Sequence, residues 1–373
     1  MPFETIDLRA SSTGMEDAVC RTVDALRDGK LVVVPTETVY GLAALASDSG
    51  AVRRLIKLKR RREGHPLPLA IAGLDSLYDY VPELDGLALR LARRCWPGPV
   101  SLVLDISDRC SEIHRLPDFV RQTVVLNHCV CFRVPNHPLT LTALSELNEP
   151  VVLTSANLTG QPEAATVPEI LQSLGGGIDL LINDGPAAIA KPSTTVAVSV
   201  DGYTILREGA VKKETIERLT ARIILFVCTG NTCRSPMAEK LCEMLLAERL
   251  RCTVEQLEEH GFVVMSAGLS AGLDVPAGRH AIETLRSRGL DLSEHRSQQI
   301  NETQVRFADH IFALARGHRE AILSYWPGSD TRLCVLRTDG GDVNDPIGGS
   351  LDVYEECADL VEREIRKRLG EIL

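Results

Sequence analysis

No Cys-x-x-Cys pair occurs among the eleven cysteines of this 373-residue chain, and its nine histidines show no metal spacing. A structural zinc site therefore has no donor pattern to rest on; Cys129-Val130-Cys131 lacks a second half, and no metal ligands are assigned. An odd cysteine count without paired spacing reads as reduced thiols. An excess of positive charge is also missing: 41 Lys and Arg against 51 Asp and Glu leave a formal charge of −10. That argues against a protein that grips nucleic acid by a broad basic surface, although local patches can override the net value. No apolar run reaches the length of a membrane span, and residues 1–15, which include Glu4 and Asp7, lack the apolar core of a signal peptide. No membrane is expected, and the cytoplasm is the expected location. What remains is 44 % apolar residues over a length that predicts two domains.

The most informative stretch is Val227-Cys228-Thr229-Gly230-Asn231-Thr232-Cys233-Arg234-Ser235-Pro236. Before it, Ile223 to Val227 has the length and branched composition of a buried parallel strand, and after it Met237 to Leu250 has a helical pattern. Ser235 then suits the N-cap and Pro236 the first helical position. A loop closing onto a helix N-terminus aims several backbone N–H groups and the positive end of the helix dipole at one spot, which suits a phosphate dianion and the anionic form of Cys228. Five residues separate Cys228 from Arg234, enough for the loop to curl until sulfur and guanidinium face one phosphoryl group. Arg234 can hold two phosphoryl oxygens in a fork while the sulfur attacks phosphorus in line. The leaving group must be protonated, and Asp345, in Asp342-Val343-Asn344-Asp345-Pro346, is the expected general acid and then the base for water.

With these motifs in place, residues 223–373 resemble the low-molecular-weight protein tyrosine phosphatases. The resemblance implies Cys228, Arg234 and Asp345 as catalytic and Thr229, Gly230, Asn231, Thr232, Cys233 and Ser235 as phosphate-binding, with no cofactor. Thr232 stands where the tyrosine-directed branch carries a bulky aliphatic residue, and a hydroxyl suits a planar, polar guanidinium better than a phenyl ring. The run from Cys228 to Glu239 reads as in the bacterial protein arginine phosphatases of the family, so a protein phosphoarginine is the expected substrate. Phosphotyrosine is the alternative, and Ile347, where both branches tend to keep an aromatic ring, departs from the pattern. Cys233 is either a small packing residue or a thiol that closes a disulfide with Cys228 under oxidation, the second being what the resemblance favours.

Earlier in the chain, a helix over 15–27 stopped by Gly29 leads to a strand at 31–34 and then Pro35-Thr36-Glu37-Thr38-Val39-Tyr40-Gly41-Leu42. A helix over 51–58 ends in the densest cationic run, Lys57-Leu58-Lys59-Arg60-Arg61-Arg62, at a turn into a strand at 69–71. A helix over 84–94, strands at 100–104 and 130–134 and a helix through Leu147 follow. The strand from Val151 then breaks into Thr154-Ser155-Ala156-Asn157; in extended backbone Ser155 and Asn157 would point to one side and address one ligand together.

Lys59-x-Arg61 and Ser155-x-Asn157, the Pro35–Leu42 stretch, residues 96–99 and 133–138, Ser193-Thr194 and Leu206-Arg207-Glu208-Gly209 resemble the YrdC-like threonylcarbamoyl-adenylate synthases over roughly residues 12–211. That family condenses threonine, bicarbonate and ATP with Mg2+, releasing pyrophosphate, and hands threonylcarbamoyl adenylate to a tRNA-modifying transferase. The resemblance implies Lys59, Arg61, Ser155, Asn157 and Arg207 on the nucleotide, and Thr36, Tyr40 and Ser193 at the threonine end. Arg62 and Ala70 depart from the family pattern, where proline and, in longer members, histidine stand. A basic concavity binding double-stranded RNA without chemistry is the rival reading of this domain.

The expectation is therefore an α/β chain. Residues 1–211 form a YrdC-like twisted open sheet with a concave site and 212–221 a semi-rigid link. Residues 222–373 form a doubly wound parallel-sheet low-molecular-weight phosphatase domain with its site at the strands' C-terminal ends.

Overall fold

In the computed structural model the described residues are 3–10, 14–61, 65–84, 86–108 and 110–373. Arg62, one of the departures named above, lies outside them. The chain divides into two compact units, Met1–Leu219 and Thr220–Leu373.

The first unit is built on one eleven-stranded mixed sheet: β1 (Glu4–Asp7), β2 (Val32–Val34), β3 (Gly41–Leu45), β4 (Leu69–Ala70), β5 (Val100–Asp105), β6 (Val125–Leu126), β7 (Cys129–Arg133), β8 (Val151–Ser155), β9 (Leu180–Asn183), β10 (Thr194–Ser199) and β11 (Gly202–Arg207). Their order is β1-β9-β2-β3-β8-β4-β7-β5-β10-β11, with β6 paired to β7. Strands β2 and β3 are apolar on both faces because both faces are covered. Val33, Leu42 and Ala44 enter one core, whereas Val32, Val34, Ala43 and Leu45 enter the other. Helices Met15–Arg27 and Pro138–Leu147 close the second face through Ala18, Val19, Val23, Leu26, Leu139, Ala143 and Leu144, which accounts for the helical periodicity of those segments. Residues 212–221, read as a link, contain the helix Lys213–Thr220, whose Ile216 is buried in the core of the first unit.

The second unit has four parallel strands, β12 (Arg222–Cys228), β13 (Phe262–Gly268), β14 (His310–Ala313) and β15 (Leu333–Val335), in the order β13-β12-β14-β15. Alternate residues of β12 feed opposite cores: Ile224, Phe226 and Cys228 one, Leu225 and Val227 the other. Residues of helices Arg234–Leu250, Arg279–Arg286 and Leu351–Ile372 pack in the first of these cores, and those of Glu302–Phe307 and Arg316–Tyr325 in the second. The strand order reverses between β12 and β14, so the crevice outside the C-terminal end of β12 is where a doubly wound sheet places a ligand. Cys228 is the last residue of that strand. Among the described residues no helix is long and apolar enough to cross a membrane.

Candidate functional site

The loop after Cys228 is shaped from within by Asn231. This residue is fully buried with φ +55°, a left-handed conformation that asparagine tolerates better than most. Its Nδ2 donates to Ser235 Oγ (3.0 Å) and Ser266 Oγ (2.8 Å), its Oδ1 accepts from the Gln298 N–H (2.9 Å), and its carbonyl meets His295 Nε2 (2.8 Å). With its oxygen accepting from Asn231, the Ser235 hydroxyl has its own proton left to donate, and Cys228 Sγ lies 3.0 Å away. The Asn231 backbone N–H also donates to that sulfur, at 3.3 Å. Two donors thus converge on one buried sulfur and fix its position at the end of the strand. Gly268, at the end of β13, lets the loop close: a Cβ there would stand 2.6 Å from the Thr229 carbonyl oxygen and 3.0 Å from the Asn231 nitrogen.

The expected cap differs. The helix begins at Arg234, one residue before the expected cap, with Cys233 in the cap position and no side-chain cap bond, so Ser235 lies within the first turn. From inside the helix its hydroxyl turns instead toward the Cys228 sulfur and, at 3.3 Å, the Ala267 carbonyl.

Arg234 is buried, and its Nη2 donates to Asp345 Oδ2 at 2.5 Å and to Thr229 Oγ1 at 3.3 Å, while Nη1 reaches the Val343 carbonyl at 3.2 Å. Guanidinium and acid thus meet directly, and the same guanidinium reaches Thr229, the residue next to Cys228. Ile347 is 67 % exposed just beyond Asp345, and its N–H donates to Asp345 Oδ1 at 3.2 Å. Cys233 Sγ lies 3.4 Å from the Tyr354 hydroxyl and 3.7 Å from Thr232 Oγ1. Burial raises the Tyr354 phenol, and pushes the neighbouring Cys357 thiol up to about 12. All eleven cysteines are free thiols.

In the first unit a cavity of about 370 Å³ opens among the ends of several strands. It gathers Thr36, Tyr40, Arg61, Ser155, Ser193 and Arg207 from five separate stretches of sequence. Arg207 donates to the Ser193 carbonyl (2.9 Å) and to its hydroxyl (3.3 Å). The Tyr40 hydroxyl donates to the Gly185 carbonyl (2.7 Å) and accepts from the Asp184 N–H (3.0 Å). Thr36 Oγ1 donates to the Val39 carbonyl at 2.6 Å.

Lys59 and Asn157 stand behind this lining. The Lys59 ammonium is buried and donates to the Ser155 and Asn157 carbonyls, the latter at 2.7 Å; burial, and secondarily the Arg61 charge, lower its pKa to about 8. Ser155 and Asn157 do not share the extended geometry expected of them. β8 ends at Ser155 and the Asn157 N–H turns back onto the Ser155 carbonyl at 3.0 Å, which points Asn157 at Lys59 and at the Gln161 carbonyl.

Sequence reasoning passed over Glu37, Arg133 and His318. Arg133 lines the cavity and pairs with Glu37 at 2.8 Å, both side chains nearly buried; it also donates to Thr38 Oγ1 at 2.7 Å. Glu37 Oε2 accepts from the Asn136 N–H at 2.9 Å, so one carboxylate ties the 36–40 stretch to the loop after β7. Glu37 was visible inside the Pro35–Leu42 stretch, but its partner lies 96 residues away. All nine histidines read as surface or helix-end residues; His318 is instead buried against Thr229.

Two family models match the chain: Sua5/YciO/YrdC, described as "Telomere recombination", over residues 24–209, and "Low molecular weight phosphotyrosine protein phosphatase" over residues 223–372. The threonylcarbamoyl-AMP synthase of Bacillus subtilis is 31 % identical over 219 residues, 58 % of this chain; the chain spans 61 % of that relative's length. The protein-arginine-phosphatase of Geobacillus stearothermophilus is 37 % identical over 155 residues, 40 % of this chain and 95 % of its own. In fold, a Sua5 structure from P. abyssi aligns with a TM-score of 0.51 at 22 % identity, covering 73 % of this chain and 92 % of that one.

Proposed function

Because the chain belongs to the Sua5/YciO/YrdC family through its first unit and to the low-molecular-weight phosphotyrosine protein phosphatase family through its second, we propose that it is a bifunctional enzyme. Its first activity is the synthesis of threonylcarbamoyl-AMP from threonine, bicarbonate and ATP; its second is the cysteine-dependent dephosphorylation of protein phosphoarginine.

For the second activity the carrying observation is that Arg234 pairs with Asp345 and reaches Thr229, next to the Cys228 sulfur on which Ser235 and Asn231 converge. The Cys228 thiolate attacks phosphorus while the P–N bond to the substrate guanidine breaks, and Asp345, protonated, gives its proton to the departing nitrogen. Arg234 must leave Asp345 for the phosphoryl oxygens, which frees the carboxyl group to address the departing nitrogen. Asp345 then takes a proton from water, which attacks phosphorus and releases Cys228 as thiolate and inorganic phosphate. The polar Thr232 in the cradle and the likeness to the Geobacillus protein favour phosphoarginine. The exposed Ile347 beside Asp345, an apolar surface a phenyl ring could lie on, favours phosphotyrosine as the second reading.

For the first activity the carrying observation is the cavity that joins Thr36, Tyr40, Arg61, Ser155, Ser193 and Arg207. Arg61 and Arg207, with Ser155, take the nucleotide, and Thr36, Tyr40 and Ser193 the threonine end. A threonine carbamate oxygen held in line attacks the α-phosphorus, and pyrophosphate leaves. Lys59 and Asn157 act by holding the Ser155–Asn157 turn in place. Mg2+ would neutralise charge on the triphosphate. Among the described residues no cluster of three His, Cys, Asp or Glu could hold a metal, so the ion fits as one carried chiefly by phosphate oxygens, with Glu163 the carboxylate in the cavity lining. The product would pass to a tRNA-modifying transferase.

Pyrophosphate release from ATP tests the first activity. Release that requires threonine and bicarbonate together, and that Arg61→Ala reduces at least about 100-fold, is expected. Double-stranded RNA binding without any pyrophosphate release would replace this reading by the RNA-binding one.

A further inference from the structure

His318 belongs to helix Arg316–Tyr325, outside both phosphatase motifs, yet its Nε2 lies 2.9 Å from Thr229 Oγ1, the first side chain of the cradle after the nucleophile. The same threonine oxygen accepts from Arg234 Nη2, the nitrogen that also donates to Asp345. Side chain therefore follows side chain from His318 through Thr229 and Arg234 to the general acid. On its other edge His318 Nδ1 is buried and has no hydrogen-bond partner.

That unpartnered nitrogen decides the tautomer. Arg234, Asp345 and Asp342 are the charged groups that act on the imidazole; burial first, and the Arg234 charge second, lower its pKa to about 4, so the ring is neutral at working pH and carries one N–H. On Nδ1 that hydrogen would be a buried donor with no acceptor, whereas on Nε2 it meets Thr229. With Nε2 donating, the Thr229 oxygen accepts twice, from His318 and from Arg234, and its own hydroxyl proton is unspent. Thr229 is exposed, so that proton can face the crevice.

We propose that His318 is a positioning residue of the phosphatase reaction, acting through Thr229 to steady the Arg234 fork and to present an unspent hydroxyl proton to the phosphoryl group of the substrate. When the phosphoryl group arrives and Arg234 turns to it, Thr229 stays anchored by His318 and adds one donor to the cradle. The proposal rests on the phosphatase reading of the second unit.

The test is a double-mutant cycle on the full chain, reading kcat and KM on a phosphoarginine peptide and the inhibition constant of inorganic phosphate for His318→Ala, Thr229→Val and both together. Each single change is expected to lower kcat/KM about tenfold and to weaken phosphate, and the double variant to be no worse than Thr229→Val alone. His318→Gln, whose amide N–H can take the place of Nε2–H, is expected to recover most of the loss. Losses that multiply in the double variant, or a His318→Gln chain as impaired as His318→Ala, would overturn the proposal. Should His318→Ala not fold, His318→Phe, which fills the space but offers no N–H, takes its place in the cycle. A wild-type chain that binds inorganic phosphate but turns over no phosphopeptide would instead fail the phosphatase reading, and the phosphate affinities of the same variants would still decide the His318 coupling.

Discussion

A single carboxylate, Glu37, carries an unusual share of the first unit's order, since it neutralises Arg133 inside the cavity lining and holds the Asn136 backbone. Breaking a nearly buried pair by removing one partner leaves the other charge desolvated and alone. Glu37→Ala should therefore destabilise the first unit by about 3 kcal/mol, and Glu37→Ala with Arg133→Met by clearly less. Chemical denaturation of the full chain, following a probe in that unit, measures both; equal or additive losses would mean that the pair is not what Glu37 supplies. The residue scale is also where the sequence was hardest to read. Glu37 and Arg133 were each in plain view, but only the neighbouring of β3 and β8, and then of β4 and β7, tells that they meet. His318 was invisible for a related reason: burial and a threonine partner from another element make it a cradle residue, and neither is encoded near position 318.

At the scale of elements, the loop from Cys228 to Arg234 was legible because its chemistry is local. A branched strand, a glycine, an asparagine able to take positive φ and a helix following at once leave the chain few alternatives. Details that depend on where an element begins or ends by one residue are not legible. Ser235 has the chemistry of a cap, but the helix starts at Arg234, and Asn157 has the spacing to align with Ser155, but the turn after β8 redirects it. Short strands such as β1, β6 and β9 are not legible because two to four residues carry too little pattern, and the pairing of β1 and β9 comes from neighbours distant in sequence. The loop's closeness to β13 carries a sharp prediction. In Gly268→Ala the added carbon meets backbone atoms of Thr229 and Asn231, which cannot swing aside as a side chain can. The cradle must shift by several tenths of an ångström, and phosphatase kcat should fall about 100-fold with little change in the folded state's secondary structure. Retention of full turnover would show that the cradle tolerates displacement.

For the whole molecule, the two-unit architecture and the α/β class of each unit followed from length and from the alternation of strands and helices, and the two families were legible from short motifs. The substrate of the second unit is the finer question, and it turns on two positions that pull apart: the hydroxyl of Thr232 in the cradle and the exposed Ile347 beside Asp345. A guanidine leaving group gains from the first and a phenol from the second. Turnover by the full chain on matched phosphoarginine and phosphotyrosine peptides, with Cys228→Ser as the blank and Thr232→Ile as the probe, sets these against each other. The account predicts a preference for phosphoarginine of at least about tenfold that Thr232→Ile erases and Cys228→Ser abolishes with all turnover. A wild-type preference for phosphotyrosine, unchanged by Thr232→Ile, would contradict it and make Ile347 the better guide to the substrate.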